Sequence, residues 1–168
     1  MSNFKWGLRS LQNLSGIHPD LRRVADRALQ LTTQDMTVIE GIRSVERQRQ
    51  LLAQGHTRTL NSRHITGHAI DVVPWPVDWD DWDKFDNMAT AFAQASRELE
   101  IPITWGAAWH KNLDQFTTGK EAREEYTSTR RKQKRPVFLD GPHFELCKKA
   151  YPAGVISAKT DQRPTKEK

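Results

Sequence analysis

The sequence has one cysteine, Cys147, among 168 residues. A single cysteine excludes an internal disulfide and a thiolate-based structural zinc site, so any metal ion must be bound through nitrogen and oxygen ligands. The sequence also has no run of about 18 apolar residues, which excludes a membrane-spanning helix. The first residues, MSNFKWGLRSLQNLSGIHPD, lack the apolar segment of a signal peptide, so we expect synthesis and initial residence in a cytoplasm.

Acidic residues are fewer than basic ones, with 21 Asp and Glu against 26 Lys and Arg, which gives a net charge of +5. This balance favours approach to a polyanion such as nucleic acid, anionic lipid or an acidic wall polymer. The densest basic run, RRKQKR at 130–135, lacks the interleaved aromatic residues that stack on bases. We therefore expect no nucleic-acid partner, and interpret the run as a solvated loop or a contact with anionic outer-membrane or wall polymers.

The length and the apolar content of 36% suit one compact domain, which we place at residues 1–156 and expect to be monomeric. Residues 111–135 are rich in Lys and Arg and have few apolar residues, so we interpret them as an excursion from the fold. Residues 157–168 have nothing to bury and are predicted to be a disordered tail.

Hydrophobic periodicity predicts helices over 19–31, from Ser44 to Gly55, and along an apolar stripe from Trp82 to Leu99. Residues rich in β-branched side chains predict strands at 36–42, 68–74 and 103–105, and on both sides of the Gly141-Pro142 turn. Strands and helices alternate irregularly. The pattern predicts an α+β fold with a small, largely antiparallel sheet flanked by helices.

The stretch SRHITGHAIDVVP places His64 on a loop and Asp71 on the strand that follows, with a possible turn at Gly67. Far downstream, Asp140 and His143 flank the Gly-Pro turn. Two histidines and one carboxylate, with water in the fourth position, form the ligand set of a catalytic zinc ion. A carboxylate that does not bind the metal could then move a proton from water to a leaving amine. Isolated histidines and aspartates are common, so a surface loop leading into a strand remains an alternative.

Several segments resemble the zinc D-Ala-D-Ala carboxypeptidase family. SRHITGHAID fits its S-x-H-x-x-G-x-A-x-D signature and DGPHFEL fits its D-x-x-H ending, while SLQNLSGIHPDL, EGIRSVERQRQLLAQG and ITWG occur in the family's order. Within that family the chain resembles the bacteriophage endolysins that are L-alanyl-D-glutamate peptidases. The resemblance implies a DD-peptidase-like fold with the zinc site at strand and loop ends, and cleavage of the L-Ala–D-Glu bond in the peptidoglycan stem peptide during host lysis.

The resemblance also implies roles for individual residues. Three positions match the zinc ligands: His64, Asp71 and His143. Asp140 matches the catalytic acidic residue, and Arg43 matches an active-site arginine that could stabilise an oxyanion or hold a substrate carboxylate. The alternative for Arg43 is a structural ion pair with Glu40 or Glu46. Two further positions match motif residues near the site and are expected to bind substrate: Ser62 and Gln48.

The sequence departs from these endolysins in two places. It reads WGAAW at 105–109 where they often read W-G-G-D-W, so the function of that aspartate is either lost here or taken over by His110. The gap between this segment and DGPHFEL is also long. Two other functions stay open: a D-Ala-D-Ala carboxypeptidase, and a non-catalytic zinc-bearing module that binds the cell wall. Retention of Asp140 argues against the second. We expect a single-domain lysin that leaves the host cytoplasm through a holin-formed lesion and acts on the periplasmic wall.

Overall fold

A four-stranded sheet is the framework of the computed structural model, which describes residues 1–153. The strand order is β1-β2-β4-β3 and every neighbouring pair is antiparallel. The strands are β1 (Met36–Glu40), β2 (Ala69–Pro74), β3 (Ile103–Trp105) and β4 (His143–Leu146). The helices are α1 (Leu8–Leu14), α2 (Pro19–Leu31), α3 (Val45–Ala53), α4 (Trp82–Leu99) and α5 (Gly119–Lys132), with a 3-10 turn at Leu113–Gln115. The α+β prediction is confirmed, and the expected tail at 157–168 lies outside the described residues.

Helices α3 and α4 begin where side chains satisfy their first free backbone N–H groups. The Ser44 hydroxyl accepts a hydrogen bond from the Arg47 N–H at the start of α3, and the Asp81 carboxylate accepts one from the Lys84 N–H at the start of α4. These helices and α2 lie where periodicity predicts them. Among residues 1–153, no helix combines the length and apolar character that a bilayer span requires.

The core joins the sheet to α4, which also packs against α2. Phe144 of β4 stacks on Phe92 of α4 with ring centroids 4.0 Å apart, and its ring also lies parallel to Trp105. Each buried aromatic side chain contributes about 1.5–3 kcal/mol through the area it removes from water. Because side chains alternate along a strand, the residues on either side of Phe144 project from the opposite face of the sheet. The site lies on that face.

Three details differ from the sequence predictions. Helix α1 was not predicted, and residues 137–139 do not form a strand before the Gly-Pro turn. Residues 111–135, predicted as an excursion from the fold, contain helix α5, which includes the first residues of the basic run at 130–135. This helix starts with a capping box of Thr118 and Glu121, buries Ala122 and Tyr126 one helical turn apart, and packs against α4. Residues 131–135 remain exposed.

Candidate active site

The strand register brings together two of the predicted metal ligands. Asp71 of β2 lies directly opposite His143 of β4, and directly paired residues of antiparallel strands project from the same face. His64 arrives from the preceding loop through a turn at Gly67, whose φ of 73° places it in the left-handed region that favours glycine. One ligand atom from each of the three residues lies within 4.8 Å of the others.

The three donors fit a zinc ion. Asp71 Oδ1 lies 3.4 Å from His64 Nε2 and 3.4 Å from His143 Nδ1. Donor atoms bound at about 2.1 Å around a tetrahedral ion are about 3.4 Å apart. Asp71 Oδ1 is also buried and has no hydrogen-bond partner within residues 1–153. A buried carboxylate oxygen without a partner is costly unless something else satisfies it, and a metal ion would do so.

Neighbouring groups orient the two imidazoles. His64 Nδ1 lies 3.0 Å from the carbonyl oxygen of Gly41 and is the nitrogen that donates to it, so Nε2 is left for a metal. His143 presents Nδ1 to Asp71, while its Nε2 faces the buried carboxylate of Glu145 at 3.7 Å. Glu145 in turn forms an ion pair with Arg63 at 3.2 Å. The contact of His64 Nδ1 with Gly41 and the approach of His143 Nε2 to Glu145 therefore orient the two rings.

The turn that carries Asp140 and His143 is fixed by the end of β3. The Gly106 N–H donates to the His143 carbonyl at 2.7 Å, and the Asp140 N–H donates to the Gly106 carbonyl at 2.8 Å. A β-carbon on Gly106 would collide with the Asp140 carbonyl oxygen and lie 2.9 Å from the β-carbon of His143. The Trp105 indole N–H donates to the Gly141 carbonyl at 2.7 Å. The ITWG segment thus sets the position of the DGPH turn.

Asp140 is placed near the ligands. It lines one cleft together with Asp71, a cavity of about 430 Å³ whose other lining residues are Ile39, Trp79, Trp82, Phe85, Leu139, Gly141 and Pro142. Burial raises the pKa of the Asp140 carboxyl, and the nearby Asp71 raises it further against the opposing effect of His143, His64 and Arg43. A half-buried carboxyl with a raised pKa suits a group that accepts and returns a proton.

The three candidate ligands also interact electrostatically with one another. Burial raises the pKa of Asp71, but the His143 and His64 imidazoles lower it more, so the pKa lies well below its usual range. Burial lowers the pKa of His143, whereas Asp71 and Glu145 raise it, with an outcome of about 9. A metal ion bound here would compete with a proton for the His143 imidazole.

Arg43 adopts the structural pair that the sequence left open, with Glu40 as the partner. Its Nε and Nη2 atoms donate to the two Glu40 carboxylate oxygens at 2.7 Å each, and Nη1 donates to the Gln48 amide oxygen at 2.8 Å. Nη2 also lies 3.8 Å from Asp71 Oδ2. The guanidinium thus lies beside the candidate ligand Asp71, and hydrogen bonds to Glu40 and Gln48 fix its position.

The other two predicted site residues lie away from the cleft. Gln48 is completely buried, and its amide N–H groups donate to the Thr59 carbonyl at 2.7 Å and the Thr57 hydroxyl. The Ser62 hydroxyl accepts from the His64 N–H at 3.3 Å, and Ser62 lines a separate, smaller cavity with Arg63. Both residues support the segments that carry Arg43 and His64.

His110 lies elsewhere: its Nε2 is 2.6 Å from a Glu125 carboxylate oxygen of α5. Sequence reasoning missed the contributions of Gly41, Gly106 and Glu145. Gly41 and Gly106 lie within the EGIRS and ITWG motifs, and Glu145 carries a signal of its own, since a residue two positions after His143 on a strand projects from the same face.

Comparison with known proteins identifies the family. The model of the phage L-alanyl-D-glutamate peptidase family matches residues 1–147. The L-alanyl-D-glutamate peptidase of Escherichia phage T5 is 39% identical over 118 residues, which cover 67% of this chain and 86% of that protein. The crystal structure of Serratia marcescens L-Ala D-Glu endopeptidase ChiX superposes with a TM-score of 0.69 at 37% identity, covering 89% of this chain and 95% of that one. This chain belongs to the phage L-alanyl-D-glutamate peptidase family.

Proposed function

We propose that this chain is a zinc-dependent endopeptidase that hydrolyses the L-Ala–D-Glu bond of the peptidoglycan stem peptide. The observation that carries the proposal is the convergence of His64, Asp71 and His143 beside Asp140, in a member of this family. Two nitrogens and one carboxylate oxygen leave a coordination position open, which is the arrangement of a catalytic rather than a structural zinc site.

Held by these three residues, zinc would supply a Lewis acid that polarises the scissile carbonyl and activates water. Asp140 borders the same cleft without belonging to the ligand group. Its carboxylate accepts the proton of the attacking water and returns it to the nitrogen of the departing D-Glu. The raised pKa favours this exchange, because the carboxyl must hold the proton between two steps.

Arg43 stabilises negative charge on the carbonyl oxygen as water adds. A guanidinium has five N–H donors, and the contacts with Glu40 and Gln48 use three of them. The remaining two leave capacity for a developing oxyanion or a substrate carboxylate. We propose that Gln48 contributes by holding Arg43 and that Ser62 contributes by holding the His64 loop.

Family membership supports a proposal for the wider setting. As a phage lysis enzyme, the chain would act on the periplasmic wall as a monomer after release from the host cytoplasm through a holin-formed lesion. The exposed basic residues that end α5 and follow it carry positive charge toward solvent, at 131–135. We propose that they contact anionic outer-membrane or wall polymers rather than nucleic acid.

Mass spectrometry of fragments released from purified Gram-negative peptidoglycan tests the function. The protein is incubated with a chelator, and then with zinc added back. New N-terminal D-glutamate that depends on the metal is the expected result. Release of free D-alanine would instead establish a carboxypeptidase, and zinc binding without any released fragment would establish a wall-binding module.

A further inference from the structure

One wall of the cleft is aromatic and has no part in the chemistry described above. Trp79 and Trp82 line the cavity together with Asp71 and Asp140. Trp79 is 58% exposed, although a tryptophan is normally well covered. An exposed tryptophan can be incidental, but this one borders the same cavity as a metal ligand and the proton-transfer residue.

The two tryptophan side chains of this wall pack against neighbouring side chains. The rings of Trp79 and Trp82 both pack on Phe85, with centroids 6.0 and 5.5 Å away, and Phe85 is buried in the core. The Arg123 guanidinium lies 5.1 Å from the Trp82 ring and pairs with Asp86 of α4. The two indoles are therefore supported by fixed neighbours and present an open surface to the cleft.

The charged residues of the cleft indicate which part of the substrate the aromatic wall contacts. Among residues 1–153, the charged residues that line it are Asp71 and Asp140, with no Lys or Arg. On the leaving side of an L-Ala–D-Glu bond, D-Glu carries a free carboxylate. The aromatic wall offers that carboxylate no cationic partner, whereas Arg43 lies 3.8 Å from Asp71 and outside the cleft lining. On the other side, L-Ala is joined to a neutral, N-acetylated amino sugar, whose ring exposes C–H groups that pack well on aromatic faces.

We infer that Trp79 and Trp82 form a stacking platform for the amino-sugar ring that carries the stem peptide. The platform positions the L-Ala side of the substrate, so that the scissile carbonyl lies against the ligand group. This inference rests on the proposed function, because it assumes cleavage of that bond in peptidoglycan.

Two substrates with the same scissile bond test the platform: a muropeptide that retains its sugar, and the same peptide with an N-acetyl group in place of the sugar. Trp79→Ala should reduce kcat/KM on the muropeptide about three- to tenfold, which is the scale of one aromatic contact. The loss should come from a higher KM, with kcat unchanged. The peptide without sugar should be cleaved as by wild type. Trp79→Phe should recover most of the loss.

Trp75→Ala is the matched control, since Trp75 is 51% exposed but does not line the cavity. It should leave both substrates unaffected. Equal loss by Trp79→Ala on both substrates, or no loss on either, would overturn the platform while the proposed function stands. Failure of wild type to cleave either substrate would overturn the proposed function together with the inference.

Discussion

The β2–β4 strand pair and helix α5 both pack on α4, but different contacts hold them there. The strand pair is joined by a backbone ladder and by the stacking of Phe144 on Phe92. Helix α5 buries few apolar side chains, and its main polar contact is the Arg123–Asp86 ion pair at 2.6 Å. One region is set by register and core packing, and the other by a small number of polar contacts.

This difference implies that the candidate active site and the attachment of α5 can be altered independently. Asp71 and His143, two of the three proposed ligands, are placed by the same register that builds the core. We therefore expect changes of their side chains to affect metal binding and turnover. Helix α5 contributes no ligand, so changes there should affect the free energy of unfolding and leave the metal in place. The predictions below test this separation, from the largest expected effect to the smallest.

His143→Ala should abolish zinc binding and activity, because it removes one of the three proposed ligands. Zinc content by mass spectrometry and turnover on peptidoglycan measure both effects. His56→Ala is the control, since His56 is exposed on a loop, and it should retain both. If His143→Ala held zinc with wild-type affinity, the ligand set would be wrong.

Asp140→Ala should keep zinc near one ion per chain and lose turnover by about two orders of magnitude or more, the scale of a general base. Asp140→Asn preserves the shape of the side chain and should lose as much, because the missing function is proton transfer. Zinc content and kcat are measured on the same preparation. Normal turnover in either variant would remove Asp140 from the mechanism.

Arg123→Ala should lower the free energy of unfolding by about 2 kcal/mol, since it leaves the Asp86 carboxylate buried and unpaired. The value lies below that of a fully buried pair because the Arg123 side chain is 20% exposed. Urea unfolding measures the loss, and zinc content should stay unchanged. Loss of zinc would show that α5 and the ligand strands are not separable.

Lys120→Ala should change the free energy of unfolding by less than about 0.5 kcal/mol. Lys120 and Glu124 form a pair at 4.0 Å on the same helix, and both side chains are more than half exposed. The same urea experiment provides the comparison with Arg123→Ala. An equal loss in the two variants would mean that burial does not determine how α5 is held.

The same contrast explains what the sequence could predict. The bounds of α2 and α4 follow from periodicity, and the strand that bears Asp71 follows from its β-branched residues. Helix α5 was missed because its apolar residues are sparse, and its ion pair depends on a partner 37 positions away. Helix α1 was missed because it is seven residues long and has no side-chain cap.

The sequence identified the residues of the candidate site, but not the contacts that hold those residues in place. Two histidines and a carboxylate suggest a metal, and the family motifs select His64, Asp71 and His143 among six histidines and many acids. The register that pairs Asp71 with His143 is a property of the folded sheet. The burial of Gln48 likewise depends on packing between distant segments, so its supporting contacts required the structure.

Anomalous diffraction at the zinc edge, from crystals of the zinc-loaded protein, tests the central claim most directly. The account predicts one peak about 2.0–2.2 Å from His64 Nε2, an Asp71 carboxylate oxygen and His143 Nδ1, with Asp140 outside bonding distance. A peak elsewhere in the molecule, or one bonded by Asp140, would contradict it.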